Sequence, residues 1–395
     1  MSVAIKCVDE IDIQGKRVFI REDFNVPIQE KKILNDLRIR AALPTLQYAI
    51  EKNAKVILAS HLGRPKGKVI PEYSLFPVAE RLSFYLKKEV IFSESCEGSG
   101  NLKIIQRMKP GDVLLLENLR FHPGEESNSE HFATQLSKLC DVYINDAFGA
   151  VHRAHASVAM LPRLFRNRGV GFLMKQEIHA LSELLGRPAS PYVVVVGGTK
   201  VGDKIGVITN LLNRIDKMII GGAMAYTFLK AQGKKVGNSR VEEDKLLLAK
   251  AILDQAKENR VECLLPLDHL IVKELREDAE TETTEGDEIP DGWLGVDIGP
   301  KTIEAYRNAL AGCKTIFWNG PMGIFEMKPF SKGTQEIAYA ISKNKGFTVV
   351  GGGDSVNAVY EFKLQLKFSH ISTGGGASLE FLEGKTLPGL KLLSV

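Results

Sequence analysis

Short runs of consecutive apolar residues recur along the chain, and each is followed by a polar or glycine-marked turn and then by a longer amphipathic stretch. Consecutive rather than alternating apolar residues are typical of strands buried on both faces, as in a parallel sheet covered by helices. The pattern therefore predicts an α/β fold with doubly wound parallel sheets. The predicted strands lie at 17–21, 55–60, 112–118, 141–146, 192–198, 217–222, 315–320 and 347–353.

Apolar residues at three- and four-residue spacing mark helices between these strands, for example at 246–257 and 333–343. A chain of 395 residues is longer than one hydrophobic core usually fills, so two domains are expected. The predicted connector is the segment FLMKQEIHALSELL at 172–185, whose helical periodicity ends at GRPASP. A surface helix within a single domain is the alternative interpretation of this segment.

Composition and charge narrow the class of protein. A formal charge of +4 is too small to argue for a nucleic acid or a membrane surface as partner. Five scattered cysteines without a CxxC pair indicate reduced thiols rather than disulfides or a zinc site. The segment MSVAIKCVDEIDI does not resemble a secretory leader, and no apolar run approaches the roughly 20 residues of a membrane helix. We therefore expect a cytoplasmic protein.

The second half of the chain places glycines directly after apolar strands. In an open parallel sheet, phosphate groups bind beyond the carboxyl ends of strands, where glycine lets the backbone approach and helix N–H groups point at the anion. A tight turn alone explains any one of these segments, whereas five in one half favour a nucleotide site. The segments are GGTKVGDK at 197–204, GGAMA at 221–225, NGPMG at 319–323, GGGDS at 351–355 and TGGGAS at 373–378.

The common nucleotide-binding motifs are absent from these segments. Gly197 and Gly202 have Walker A spacing, but Asp203 and Lys204 follow in place of Gly-Lys-Ser/Thr. No GxGxxG follows a strand, which argues against a dinucleotide-binding dehydrogenase, and the catalytic-loop signature of protein kinases is missing. The sequence therefore predicts a nucleotide site of another kind.

Three charged residues are candidates for contact with nucleotide phosphates. Lys200 and Lys204 are predicted one helical turn apart at the start of a helix, where they present two positive charges to a polyphosphate. Two solvated lysines are the alternative interpretation. Asp354 is predicted at a helix start, where an aspartate either caps the helix or helps to hold Mg²⁺, and spacing alone leaves both roles open.

The first half instead carries arginine and histidine at the predicted strand ends. Arginine binds phosphate and carboxylate groups through two oxygens at once. Any single arginine is more often a surface ion-pair partner, but their joint occurrence predicts a site for a small polyanion. An anion-binding lobe, a hinge and a nucleotide lobe are what phosphoryl transfer requires. The segments are REDFN at 21–25, DLRIR at 36–40, HLGRP at 61–65, ENLRF at 117–121 and VHRAH at 151–155.

Longer strings around these residues resemble those of the phosphoglycerate kinase family, in the family's order and over essentially the whole chain. The resemblance implies two Rossmann-like domains: a triose phosphate domain at 1–172 and a nucleotide-binding domain at 192–375. It further implies a hinge helix and linker at 173–191 and a tail at 376–395 that returns to the first domain. The strings are REDFNVP 21–27, SHLGRP 60–65, LLLENLRF 114–121, DAFGAVHRAHAS 146–157, GGTKVGDKI 197–205, WLGVDIGP 293–300, WNGPMGIFE 318–326, GGGDS 351–355 and STGGGASLE 372–380.

The resemblance also implies the site residues. The substrate site maps onto Arg21, Asp23, Asn25, Arg38, His61, Leu62, Gly63, Arg64, Arg120 and Arg153. The nucleotide site maps onto Lys204, Gly295, Glu326, Gly352, Gly353, Asp354 and Ser355, with Glu326 at the ribose and Asp354 near Mg²⁺. The residues expected to neutralise the transferring phosphoryl group are Arg38, Lys200, Gly374 and Gly375.

The activity implied by the resemblance is reversible phosphoryl transfer between ATP and 3-phosphoglycerate, giving ADP and 1,3-bisphosphoglycerate, in glycolysis and gluconeogenesis. The expected enzyme is a monomer that uses Mg²⁺ with the nucleotide, binds neither nucleic acid nor membranes, and closes about its hinge. Because the acceptor carboxylate is already ionised, no general base is expected. A dehydrogenase or an inactive nucleotide-binding or RNA-binding protein is the alternative.

Overall fold

Two six-stranded sheets organise the chain, one in each of two units. The computed structural model describes residues 5–393. Unit 1 contains the chain up to His179 and again from Thr386, and unit 2 is Ala180–Lys385. The division falls inside the predicted connector.

Unit 1 is built on parallel strands in the order β5-β6-β4-β1-β7-β8, with β2 and β3 forming a separate antiparallel hairpin. Its strands are β1 Arg17–Arg21, β2 Ile28–Gln29, β3 Lys32–Ile33, β4 Lys55–Ala59, β5 Val90–Ser93, β6 Val113–Leu116, β7 Val142–Asn145 and β8 Arg168–Val170. Its helices are α1 Leu37–Glu51, α2 Phe76–Leu86, α3 Ser99–Arg107, α4 Pro123–Glu126, α5 Glu130–Ser137 and the first part of α6 Phe172–Leu185.

Unit 2 has a parallel sheet in the order β11-β10-β9-β15-β16-β17 and a smaller antiparallel sheet in the order β13-β12-β14. Its strands are β9 Tyr192–Val196, β10 Lys217–Ile220, β11 Glu262–Leu264, β12 His269–Val272, β13 Thr281–Thr283, β14 Leu294–Ile298, β15 Thr315–Asn319, β16 Phe347–Val350 and β17 His370–Ile371. Its helices are α7 Ile205–Leu211, α8 Met224–Ala231, α9 Leu246–Glu258, α10 Pro300–Leu310, α11 Lys332–Ser342, α12 Gly353–Glu361 and α13 Gly376–Leu382.

The predicted fold class is confirmed: both large sheets are parallel and flanked by helices. The strands predicted from consecutive apolar residues are the central ones, and β6, β7, β9 and β15 are buried at every position. The two helices predicted from apolar spacing are α9 and α11. Since strands buried on both faces need apolar side chains throughout, these elements leave the clearest sequence pattern.

The end of the chain changes unit later than the family resemblance implies. Residues 376–385, which include α13, belong to unit 2, and the segment that belongs to unit 1 begins at Thr386. That segment forms a short helix, α14 Pro388–Lys391. The Gly389 N–H donates to the Val151 carbonyl at 2.9 Å, within unit 1. The assignment of one ligand to each unit stays a prediction.

Candidate functional site

The arginine-rich segments of unit 1 lie together because they follow neighbouring strands. The order β6-β4-β1-β7 is parallel, so the carboxyl ends of these strands share one edge of the sheet. Residues 21–25 end and follow β1, residues 61–64 follow β4, Arg120 follows β6 and Arg153 follows β7. Arg38 stands in the first turn of α1, which leads away from this region. The structure therefore brings the predicted anion-binding residues to one edge.

Asn118 holds two of these loops together, and the sequence did not single it out. Its side chain is fully buried, and its Nδ2 donates to the carbonyls of Leu62 at 2.7 Å and Tyr73 at 2.9 Å. Its Oδ1 accepts from the N–H groups of Leu62 at 3.2 Å and Arg120 at 3.0 Å. Leu62 therefore contributes through its backbone. The only sequence signal is the position of Asn118 just after an apolar strand.

Gly63 links the same loops to the loop after β1. Its N–H donates to Asn25 Oδ1 at 3.0 Å, and its carbonyl accepts from Arg120 Nη1 at 2.7 Å. Its φ is +62°, and a Cβ placed there lies 2.5 Å from the Tyr73 ring. A side chain at this position is therefore disfavoured both by backbone conformation and by space.

The arginines of this edge differ in how far their charge is compensated. Arg38 Nη1 donates to Asp23 Oδ1 at 2.8 Å and to the Asn25 carbonyl at 3.4 Å. Arg64 is exposed, and half-buried Arg153 donates from Nε to His152 Nε2 at 3.3 Å. Asp23 thus orients Arg38, while Arg64 is presented to solvent.

Two arginines lie beneath the others: Arg21 is 0% exposed and Arg120 is 2% exposed. Burial, and then the neighbouring Arg21 and Arg153 guanidinium groups, lower the pKa of Arg120 to about 10. Burial and the same cluster of guanidinium groups hold the pKa of His61 well below its ordinary value, so its ring is neutral. Clustered, poorly solvated cations are stabilised by an anion, which makes this edge a candidate anion site.

The corresponding edge in unit 2 contains a change of chain direction across the sheet. From β9 the chain passes outward through β10 to β11, and later through β15 to β16 and β17 on the other side of β9. Ligands of open parallel sheets bind at such a switch point, beyond the carboxyl ends of the strands. The glycine segments at 197–204, 319–323 and 351–355 follow β9, β15 and β16.

The glycine-rich segments of unit 2 include glycines of two contrasting kinds. At Gly197, Gly222 and Gly320, a Cβ would lie between 2.1 and 2.4 Å from the backbone of a neighbouring loop, so loop packing alone requires glycine there. At Gly353 and Gly375 a Cβ would meet nothing within 4 Å. Only the second group leaves space for a ligand to approach the backbone.

The two candidate lysines are not one helical turn apart, which corrects the prediction. Helix α7 begins at Ile205, with Lys204 at its N-cap, and Lys200 lies exposed in the preceding loop. Lys204 Nζ donates to Asn319 Oδ1, across to the loop after β15. Burial lowers the pKa of Lys204 to about 8, although the carboxylates of Asp354 and Asp203 act in the opposite direction. Lys204 is therefore a poorly solvated ammonium group that an added phosphate would stabilise.

The GGGDS segment forms the start of α12. Gly352 is the N-cap with φ of +89°, and exposed Asp354 stands in the first turn without capping the helix. The capping interpretation of Asp354 is therefore wrong, and its role near Mg²⁺ stays a prediction. Ser355 is fully buried, and its Oγ accepts from the Gly320 N–H at 2.5 Å. Ser355 thus joins the loops after β15 and β16.

The remaining predicted nucleotide and catalytic residues lie in three further places. Gly295 is in β14, where its N–H donates to Ser239 Oγ at 3.0 Å and a Cβ would lie 2.1 Å from the Tyr226 hydroxyl. Glu326 is exposed in the turn that follows β15. The Gly374 N–H already donates to Ser372 Oγ at 3.3 Å, and Gly375 is the N-cap of α13.

Two features of residues 5–393 bear on the predicted partners. Within that range no helix combines the length and the apolar character needed to cross a bilayer. The same residues contain no group of three or more His, Cys, Asp or Glu side chains that could hold a metal ion. All five cysteines are free thiols.

Known proteins resemble this chain over nearly its whole length. A family model described as phosphoglycerate kinase matches residues 8–385. The phosphoglycerate kinase of Anaeromyxobacter sp. (strain Fw109-5) is 54% identical over 394 residues, covering 99% of this chain and 100% of that protein. The phosphoglycerate kinase of Pseudothermotoga lettingae is 54% identical over 389 residues, covering 98% of each chain.

Solved structures give the same result. The phosphoglycerate kinase structure from Coxiella burnetii has a TM-score of 0.89 and 42% identity, covering 99% of each chain. The structure from Pyrococcus horikoshii OT3 has a TM-score of 0.82 and 33% identity, covering 98% of each chain. On sequence and on structure alike, the chain belongs to the phosphoglycerate kinase family.

Proposed function

We propose that unit 1 binds 3-phosphoglycerate, that unit 2 binds ATP or ADP, and that the chain transfers a phosphoryl group reversibly between them. As a member of this family the chain is a transferase of glycolysis that acts with ATP, which excludes the dehydrogenase alternative. The observation that carries the assignment of substrates to units is the cluster of cations at the carboxyl edge of unit 1, which ranges from buried Arg120 through half-buried Arg153 to exposed Arg64.

The cation cluster suits a small molecule with a phosphate and a carboxylate. Arg64, Arg120 and Arg153 supply guanidinium donors, and Asn25 supplies an amide. Because guanidinium groups match phosphate and carboxylate oxygens in pairs, the cluster can orient both ends of such a substrate. Arg38 is held by Asp23 at the margin of the cluster, where it can transfer its hydrogen bonds to the reacting group.

The open glycines and Lys204 favour the nucleotide phosphates in unit 2. Lys204 and the start of α12 at Gly352 and Gly353 would face the phosphates, since a helix N-terminus and a desolvated ammonium both stabilise negative charge. Glu326 is proposed at the ribose hydroxyls, and Gly295 and Ser355 are proposed to shape the site through the loops that they pack.

The residues present fit a nucleotide-bound Mg²⁺ ion. Mg²⁺ commonly takes one or two protein carboxylates together with phosphate oxygens and water. Asp354 offers one exposed carboxylate beside Gly353, where the space is open. When bound, the ion would neutralise charge on the phosphate oxygens. We therefore propose Asp354 as its protein ligand, directly or through water.

Transfer needs no general base, because the acceptor carboxylate is ionised at neutral pH. The chain must instead align the reactants and stabilise the negative charge on the transferring group. Arg38 and Lys200 supply positive charge, and the Gly374 and Gly375 amides supply donors. We further propose that the two units close about the connector, which would exclude water from the acyl phosphate. The proposal also includes a monomeric, cytoplasmic protein without nucleic-acid or membrane partners.

Two substitutions test the assignment by coupled spectrophotometric assay. Lys200→Ala should lower kcat by at least about 100-fold, the scale of losing one charge contact in the transition state. Arg64→Ala should chiefly raise the KM for 3-phosphoglycerate. Exposed Lys250 and Arg107 give the matched controls Lys250→Ala and Arg107→Ala, which should change neither constant.

Either of two results would contradict the assignment. Normal turnover with a near-normal KM in the Lys200→Ala variant would remove Lys200 from the reaction. A change confined to the nucleotide KM in the Arg64→Ala variant would show that the two ligands had been assigned to the wrong units.

A further inference from the structure

Behind the cation cluster of unit 1 lies a chain of four buried side chains: Glu125, Ser157, Arg21 and His61. Glu125 and Arg21 are both 0% exposed, and Ser157 lies between them. Arg21 Nε donates to Ser157 Oγ at 2.8 Å, and Arg21 Nη2 lies 3.2 Å from His61 Nδ1. The chain therefore runs from a buried carboxylate to the histidine of the candidate substrate site.

The contacts fix the direction of every hydrogen bond in this chain. Ser157 Oγ accepts from Arg21, so its own hydrogen is donated to Glu125 Oε1, at 2.6 Å. The Ser157 N–H donates to Glu125 Oε2 at 2.9 Å. Both oxygens of Glu125 thus act as acceptors, as an ionised carboxylate requires. The carboxylate also compensates the buried guanidinium, since Glu125 Oε1 lies 3.9 Å from Arg21 Nη2.

The guanidinium group of Arg21 also fixes the tautomer of His61. A guanidinium group carries only donors, so the ring nitrogen that it faces must accept. Nδ1 of His61 therefore has the lone pair, and the neutral ring carries its proton on Nε2. With Nδ1 engaged by Arg21, Nε2 is the nitrogen that remains for a ligand.

We propose that Glu125, acting through Ser157 and Arg21, is a positioning residue that fixes His61 as an Nε2–H donor towards the anionic substrate. This inference rests on the proposed function of unit 1. The opposite tautomer would turn a lone pair towards an anion, so setting the tautomer in advance favours binding. Glu125 and Ser157 act on the substrate only through Arg21 and His61 and are not themselves catalytic residues.

The charged groups around His61 act together with this chain. Burial lowers the pKa of the His61 ring most, and the positive charges of Arg21, Arg120 and Arg38, together with His155, lower it further. His155 Nδ1 lies 4.0 Å from Glu125 Oε1, the oxygen that also accepts from Ser157 Oγ. These neighbours keep the ring neutral, but only the guanidinium at Nδ1 selects which nitrogen bears the proton.

Long-range ¹H–¹⁵N correlation spectra of the histidine rings test the proposal directly. The chain has eight histidines, so a His61→Asn variant assigns the His61 signals. We expect the pure Nε2–H pattern from about pH 6 to pH 8 in the intact protein. In Ser157→Ala, which removes the hydroxyl that holds Arg21, the His61 signals should move towards a mixture of tautomers.

Kinetics of the same variant separate positioning from simple stabilisation. Ser157→Ala should raise the KM for 3-phosphoglycerate by about tenfold, the scale of weakening one hydrogen bond to a charged ligand, with the KM for ATP unchanged. Ser137→Ala is the matched control, because that hydroxyl donates to the Thr134 carbonyl at 2.9 Å, away from the cluster. Glu125→Gln, if it folds, should shift the tautomer in the same direction.

The results of these experiments distinguish a failure of the positioning role from a failure of the proposed function. An Nδ1–H or doubly protonated His61 in the intact protein, or a Ser157→Ala variant that melts earlier with an unchanged tautomer and unchanged KM, would overturn the positioning role. If Arg64→Ala raises the KM for 3-phosphoglycerate while Ser157→Ala does not, the proposed function stands and the inference fails. If Arg64→Ala affects only the nucleotide, the proposed function fails, and the spectra still test the chain of hydrogen bonds.

Discussion

Raising the pH from 7 to 9 is expected to weaken the binding of ADP to unit 2 through the titration of Lys204. Lys204 is half-buried, and its Nζ donates to Asn319 Oδ1. Burial lowers its pKa to about 8 in the free protein, from an ordinary value of 10.5. Because ADP phosphates stabilise the charged ammonium, we expect the pKa in the complex to return to near its ordinary value.

The size of the effect follows from the fraction of free protein that carries the charge. With a pKa of about 8, Lys204 is half protonated at pH 8 and about one-tenth protonated at pH 9. The dissociation constant of ADP should therefore rise about twofold at pH 8 and about tenfold at pH 9 relative to pH 7. Since the pKa of this base is lower in the free state than in the complex, binding takes up a proton and weakens as pH rises.

Isothermal titration calorimetry in buffers of different ionisation enthalpy measures both the affinity and the protons taken up. At pH 8 about half a proton should be taken up per ADP bound, at constant Mg²⁺. Lys204→Arg, whose guanidinium stays charged at pH 9, should bind with little dependence on pH. Equal affinity of the native protein at pH 7 and pH 9, without proton uptake at pH 8, would refute the placement of Lys204 against the phosphates.

Two further predictions concern unit 1. Burial raises the pKa of the Asp146 carboxyl from 3.8 to about 7, so the contribution of this group to stability falls as pH rises from about 4 to about 7 and changes no further above that. The amide side chain of an Asp146→Asn variant can still accept from the Met174 N–H. Between pH 4 and pH 8, the free energy of unfolding of this variant, measured in urea, should rise by up to about 4 kcal/mol relative to that of the native protein. A difference that stays constant with pH would contradict this. Gly63→Ala should lower the free energy of unfolding by about 1–3 kcal/mol more than Gly15→Ala. Both glycines have positive φ, but only at Gly63 would the added Cβ lie against the Tyr73 ring. Equal losses of stability would contradict this.

The large sheets were predictable because their strands are buried on both faces. A strand such as β9 has apolar residues at every position and is fully buried. The antiparallel sheet of unit 2 left no such pattern. All three residues of β13, Thr281–Thr283, are exposed and polar, and β12 and β14 are only partly buried. Exposed short strands are specified by their partners, which a sequence pattern does not contain.

The candidate site, like the fold, was predictable only in part. Residues at the carboxyl ends of adjacent parallel strands must gather at one edge, so the grouping of the arginine segments followed from strand order alone. The position of Lys200 did not, because a spacing of four residues occurs in loops as well as in helices, and α7 begins only at Ile205. Glu125 and Ser157 were also missed. They meet Arg21 across more than 100 residues of chain, and nothing near Glu125 in the sequence distinguishes it from an exposed acid.

The pairing of the arginines explains why Arg64 is the sharper test of substrate binding. The charge of Arg21 is compensated by Glu125. Arg38 Nη1 lies 2.8 Å from Asp23 Oδ1, and Arg120 Nε lies 3.4 Å from Glu126 Oε1. An anion that binds Arg38 or Arg120 must displace a carboxylate that is already in contact with the guanidinium group. The loss of that ion pair offsets part of the binding energy of the anion. Arg64 has no carboxylate partner within 4.0 Å among residues 5–393, so its removal takes away binding energy without releasing a competing acid. A rise in KM for Arg64→Ala therefore reports on the ligand itself.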